Sequence, residues 1–257
     1  MVKARADAVG ALIASRGQLI APVAVVAVYV GAASFRGTAV GAIAVLAVLA
    51  VAYCRTGRAE YGAVVVAVAL ALTPTALGYA LATPAVGVAA LAWIAWRYWR
   101  GEGLLALRAS GPVVLVGVGV LTGVVTAQVL VFGPQHAAVL SWVVLPGQDA
   151  GLAVVTVIVV IASATNAIYE EFLWRAALTR LHGSKLSVVG VLILSVGFGL
   201  AHINGTPGGI TGMIYTALFG AAMWTLRCLA GNSVAPCIAV HFAADLILIG
   251  GLYVSRY

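Results

Sequence analysis

The sequence predicts an all-α fold: a polytopic transmembrane helical bundle of about eight or nine spans with a polar cavity inside the membrane. Three observations predict it. Of 257 residues, 63% are hydrophobic and 8% charged, and the mean hydropathy is +1.13. So little polar surface cannot cover that much apolar content in water. Apolar stretches, each near the roughly 20 residues a spanning helix needs, follow one another along the chain. The basic residues are dealt out between these stretches and not gathered on one polar face.

In order, the stretches fall near 18–35, 38–54, 61–81, 84–97, 112–132, 151–172, 186–203, 210–229 and 233–253. The fourth is short and is parted from the third only by Thr83-Pro84, so merging the two leaves eight spans. Charge favours nine. With nine spans, Lys3, Arg5, Arg16, Arg55, Arg58, Arg97, Arg100, Arg108, Arg175, Arg180, Lys185 and Arg227 share one side, which is twelve of the fourteen basic residues. Only Arg36 and Arg256 take the other side. The positive-inside rule then puts the N-terminus in the cytoplasm and the C-terminus outside. The basic, then apolar, then small-residue start also looks like a secretory signal, but nothing soluble follows to be exported, so a retained span is expected.

No soluble domain or long linker is visible, so one membrane domain is expected over 1–257, with accessory spans over about 18–132 and a polar-bearing core over about 151–253. The net charge of +7 does not point to nucleic acid, because the lysines and arginines flank spans. In the fifth span Gly119 and Gly123 stand at small-xxx-small spacing, and Thr122, Thr126 and Gln128 are candidates for bonds across helices. The segment from Pro134 to Asp149 is too short and too punctuated to cross, which makes His136 a loop histidine. Cys54, Cys228 and Cys237 show no ligand spacing, sit in or beside apolar spans and read as free, lipid-buried thiols.

Of the seven acidic residues, Asp7, Glu60, Glu102 and Asp149 lie in loops, whereas Glu170, Glu171 and Asp245 lie in or against apolar spans. His136 and His182 are in loops, while His202 and His241 are within spans. Ionisable groups inside a bilayer cost several kcal/mol unless paired or hydrated, so they mark function. Nearly all of this polarity sits in "EEFLWR" at 170–175, "FGLAH" at 198–202 and "HFAAD" at 241–245, on three different spans.

Depth decides whether they can meet. If the sixth helix continues to about Leu181, Glu170 lies about 16 Å from its inner end, His202 about 24 Å, His241 about 12 Å and Asp245 about 18 Å from theirs. These values scatter around the middle of a hydrocarbon core of about 30 Å. Glu171 and Arg175 stand four apart with the acid on the N-terminal side, the favourable order for an ion pair. Glu170 is turned about 100° away and is left to face the bundle interior. His241 and Asp245 are also four apart, so the carboxylate can orient the imidazole or hold it protonated.

Such a set can activate water. A carboxylate takes a proton from water, a histidine opposite holds the same water or shuttles the proton, and a second histidine stabilises a developing oxyanion. No serine or cysteine stands in a nucleophile setting. After His202, "NGTPGG" breaks the helix and can admit water or an extended peptide.

Glu170, Glu171 and Arg175 as EExxxR, Phe198 and His202 as FxxxH, and His241 and Asp245 as HxxxN/D, in that order, resemble the CPBP family. This is the family of type II CAAX prenyl endopeptidases and bacteriocin-processing or bacteriocin-immunity proteins, known as intramembrane glutamic proteases. The resemblance covers about 165–250. It implies a helical membrane bundle in which Glu170 and His202 activate water without metal, while His241 and Asp245 form an oxyanion hole. Position 245 takes the acidic option, and an ionised aspartate offers no N–H donor. Either Asp245 is protonated, or it supports His241 and the donor comes from elsewhere. Glu171 and Arg175 then read as a structural ion pair and Phe198 as packing under the site.

The resemblance further implies a membrane-associated peptide or a prenylated or lipidated protein as substrate, membrane lipids as surroundings, and no cofactor, metal or nucleic acid. The expected location is a bacterial plasma membrane. Competing classes are a metal-dependent membrane protease using two histidines with Glu170 and Asp245, a non-catalytic immunity or scaffold protein, and a transporter with a Glu–His proton relay. No HExxH supports the first, and no inverted repeat supports the last.

Overall fold

Helix is the only regular structure among the described residues of the computed structural model, which are 110–127, 152–179, 188–203, 205 and 207–254. The first four candidate spans lie outside them. So do Cys54, Gln128, His136, Arg180, His182 and Lys185, together with the choice between eight and nine spans. The elements are α1 (Gly111–Ala127), α2 (Leu152–Glu171), a π-helical stretch (Phe172–Ala177) that continues α2 without a break, α3 (Val188–Ala201), α4 (Gly209–Leu229) and α5 (Ala235–Val254).

Helix α4 has 21 residues with a mean hydropathy of 1.3 and is long and apolar enough to cross a bilayer. At 1.5 Å per residue it reaches about 31 Å, close to the thickness of the hydrocarbon core. Helices α1 and α3 and the part of α5 over Ala235–Ile249 are apolar but shorter. Polarity is inverted relative to a water-soluble protein. Leu115, Val188, Ile210 and Leu218 face outward and are strongly exposed, whereas Glu171, Arg175, Arg227, His241 and Asp245 are buried. Such an apolar exterior is costly in water and at ease in lipid.

Helix α3 packs along α4, α2 packs along α5, and α1 closes against α4 and α5. Val113, Met223, Leu226, Ala230 and Cys237 form the apolar core at the junction of α1, α4 and α5. Gly199 allows the close approach of α3 to α4, because a β carbon there would fall 2.8 Å from that of Ala217 and against the Met213 carbonyl. Among the described residues, two expectations for α1 are not met. Gly119 and Gly123 are exposed with open space around them, and it is Gly117 that faces Val240. The Thr122 and Thr126 hydroxyls bond back to the carbonyls of Val118 (2.9 Å) and Thr122 (2.8 Å) and reach no other helix among the described residues. A threonine hydroxyl in a helix always has the carbonyl one turn back within reach, so no partner helix is required.

The helix breaks fall where the glycines and proline require. Helix α3 stops at Ala201, and His202 lies in the turn beyond it, its amide bonded to the Gly199 carbonyl at 2.9 Å. The expected position of His202 within a helix is therefore corrected by one residue, since it directly follows Ala201. Gly209 adopts a φ of +70°, which L side chains avoid, and its amide returns to the Ile203 carbonyl at 2.8 Å. Helix α2 does not end at the acidic pair. It runs through the π-helical stretch into Leu178 and Thr179, with the Leu178 amide bonded five residues back to Leu173.

Arg227 was expected in a cytoplasmic loop, but it is buried in the last turn of α4. Its guanidinium bonds the Arg175 carbonyl, the Thr179 hydroxyl (2.9 Å) and the Asn232 carbonyl (3.3 Å). It thus ties the end of α4 to the π-helical stretch. A buried arginine is tolerable where oxygens face its donors, a condition that spacing in a sequence does not display.

Candidate active site

Glu170 and Glu171 stand where the α-helical part of α2 gives way to the π-helical stretch, and the structure separates them as their rotation on the helix requires. The Glu171 carboxylate is fully buried. Its Oε1 forms an ion pair with Arg175 Nη1 across 3.1 Å and accepts a hydrogen bond from His241 Nδ1 at 2.8 Å. Arg175 is itself buried, lies over the Phe198 ring at 4.5 Å, and donates to the Gly220 carbonyl at 3.4 Å. Phe198 is the hub beneath the site. Its ring meets Trp174 edge-on at 5.5 Å and His202 at 4.5 Å.

Glu170 points the other way, between two imidazoles. Its Oε1 lies 3.7 Å from His202 Nε2 and its Oε2 lies 3.6 Å from His241 Nε2. Both separations exceed a hydrogen bond. The side chains of Glu170 and His202 keep 12% and 16% of their surface exposed, against 0% for Glu171. Glu170 is therefore the less enclosed of the two glutamates.

Hydrogen-bond chemistry fixes both histidines. The Phe198 carbonyl, 2.8 Å from His202 Nδ1, can only accept, so Nδ1 carries a proton and Nε2 is the nitrogen that faces Glu170. The Glu171 carboxylate likewise accepts a hydrogen bond from His241 Nδ1–H. Phe219 meets the His241 ring edge-on at 5.2 Å and limits its rotation.

Asp245 departs from expectation. Its Oδ1 is 3.6 Å from His241 Nε2, too far to orient the ring, and its Oδ2 accepts from Asn166 Nδ2 at 3.0 Å. The residue that orients His241 is Glu171, on another helix. All the residues expected at the site (Glu170, Glu171, Arg175, Phe198, His202, His241 and Asp245) are brought together.

Asn166, Thr179 and Arg227 were missed. Asn166 could have been found as a polar side chain one turn before Glu170 in an apolar run. The other two give no sequence signal, since each depends on a long-range contact. A cavity between the helices is lined by Asn166, His202, His241 and Asp245 on its polar side and by Phe198 and Phe219 among its apolar residues. Among the described residues, no group of three His, Cys, Asp or Glu side chains is arranged to hold a metal ion.

The geometry can seat one water across Glu170 Oε1 and His202 Nε2, donating a hydrogen to each and turning its oxygen lone pairs toward a third group. Residues 152–247 match a family model described as type II CAAX prenyl endopeptidase Rce1-like, a stretch that contains every residue placed at the site. No curated protein and no solved structure gives a match.

Proposed function

We propose that this chain, which over residues 152–247 belongs to the Rce1-like type II CAAX prenyl endopeptidase family, is an intramembrane endopeptidase in which Glu170 and His202 activate water. The observation that carries this reading is the Glu170 carboxylate: its side chain is 12% exposed and aimed at His202 Nε2 from 3.7 Å, while its neighbour Glu171 is fully buried and paired with Arg175. A free carboxylate beside a bare imidazole nitrogen is a general base with its water-positioning partner.

The water oxygen adds to the carbonyl carbon of the scissile bond as its proton passes to Glu170. The carbonyl electron pair moves onto oxygen, giving a tetrahedral oxyanion. Collapse re-forms the carbonyl and breaks the C–N bond, and the proton on Glu170 passes to the departing amine. Enclosure in an apolar bundle strengthens each of these electrostatic contacts. His241, held by Glu171 through Nδ1, keeps its Nε2 toward the reacting centre. Phe198 and Arg175 support this arrangement without taking part in proton transfer.

The substrate class that fits is a membrane-associated peptide, or a protein brought to the membrane by a prenyl or other lipid group. The alternation of basic residues supports a cytoplasmic N-terminus.

The test uses the full chain purified into liposomes with a lipid-anchored peptide substrate. The wild type is expected to cleave it, Glu170→Gln to abolish cleavage, and a strong chelator to leave the rate unchanged. Cleavage by E170Q at the wild-type rate refutes the mechanism. Loss of activity on chelation identifies the metal-dependent alternative. No cleavage by the wild type, with biological function retained in E170Q, identifies the scaffold alternative.

A further inference from the structure

Hydrolysis of an amide needs an N–H or O–H donor at the place where the carbonyl oxygen becomes an oxyanion. Asp245 cannot supply it while ionised, because a carboxylate only accepts. The side chain bonded to Asp245 can. Asn166 Nδ2 lies 3.0 Å from Asp245 Oδ2, and an acceptor-only partner fixes the amide so that its nitrogen, not its oxygen, faces residue 245. An amide nitrogen carries two hydrogens, and the bond to Asp245 uses one.

Asn166 lines the same cavity as His202 and His241. It also precedes Glu170 by four residues on a stretch of α2 that is still α-helical, so the two side chains share a face with β carbons about 5–6 Å apart. That separation accommodates one carbonyl group between a water held by Glu170 and a donor on Asn166.

We propose that Asn166 is a catalytic residue of this site: its second N–H stabilises the oxyanion, and Asp245 serves to aim it. The proposal rests on the hydrolytic reading above. The pair divides the work of a single asparagine at position 245, with the donor moved to α2 and the acceptor left on α5.

Removing the donor predicts a loss confined to the chemical step. Asn166→Ala and the shape-preserving Asn166→Leu are each expected to lower kcat about 100-fold to 1,000-fold, the range for deleting one oxyanion donor, with KM changed less than about threefold. In an Asp245→Asn background, residue 245 carries an amide of its own. The same Asn166 substitutions are then expected to cost less than about tenfold. A residue that merely holds α2 against α5 would cost the same factor in both backgrounds.

The measurement is cleavage kinetics on the full chain in liposomes for N166A, N166L, D245N and the two doubles, with E170Q alongside. A kcat within about threefold of wild type in N166A or N166L, or an equal loss in the two backgrounds, overturns the proposal. Should E170Q be inactive and N166A normal, the oxyanion role fails and the water-activation reading stands. Should E170Q cleave normally, the reading beneath both fails.

Discussion

Arg175→Met removes the guanidinium paired with the carboxylate of Glu171, which is 0% exposed. Methionine fills most of the volume, so the chief loss is electrostatic. Stripping one partner from a buried pair leaves an uncompensated charge and costs about 3–5 kcal/mol. Arg175 also donates to the Gly220 carbonyl at 3.4 Å and lies over Phe198 at 4.5 Å. These contacts are worth about 1 kcal/mol each. Adding Glu171→Gln removes the stranded charge but keeps an acceptor for His241 Nδ1. The double variant E171Q/R175M should therefore lie only about 2 kcal/mol below wild type, for the two contacts it still lacks.

The single change R175M is thus expected to be less stable than the double, the signature of a coupled pair. The assay is unfolding of wild type, both single variants and the double in mixed micelles, followed by circular dichroism. A cost below about 1 kcal/mol for R175M, or a double equal to the sum of the singles, would refute the reasoning.

Three further outcomes follow from packing and hydrogen bonding. Gly199→Ala should destabilise by about 1–3 kcal/mol in the same unfolding assay, because the added methyl meets Ala217 and the Met213 backbone at the α3–α4 contact. Thr179→Val should cost about 1–3 kcal/mol while leaving kcat unchanged, since the lost hydroxyl serves the Arg175 carbonyl and Arg227 and not the site cavity. Thr122→Val with Thr126→Val should change stability by less than about 0.5 kcal/mol, because both hydroxyls are exposed and bonded within their own helix.

Much of the site was legible because the bilayer makes polarity conspicuous. Glu170, Glu171, His202, His241 and Asp245 stand out against apolar spans in a way they would not in a soluble chain. Helical rotation then divided the glutamates correctly: Glu171 meets Arg175, and Glu170 faces His202. Periodicity failed wherever the partner was distant in sequence. Spacing offered Asp245 to His241, but the ring is held by Glu171, 70 residues away.

Asp245 answers to Asn166, 79 residues away, and Arg227 to Thr179, 48 residues away. Local geometry shows which face a residue occupies, but not which helix covers that face. The π-helical stretch was also invisible, because its residues "FLWRAA" suit an α-helix equally well. In α1, small-xxx-small spacing pointed to Gly119 and Gly123, whereas the face that packs is the one bearing Gly117.

The central claim is that Glu170 and His202 act as one unit on one water, and the single-turnover cleavage rate of E170Q, His202→Gln and the double variant tests it most directly. If the two share a water, each single change should lower the rate by about a thousandfold or more, and the double should lose little beyond the worse single, as residues acting as a unit do. Losses that multiply in the double, or an E170Q enzyme within about tenfold of wild type, would contradict it.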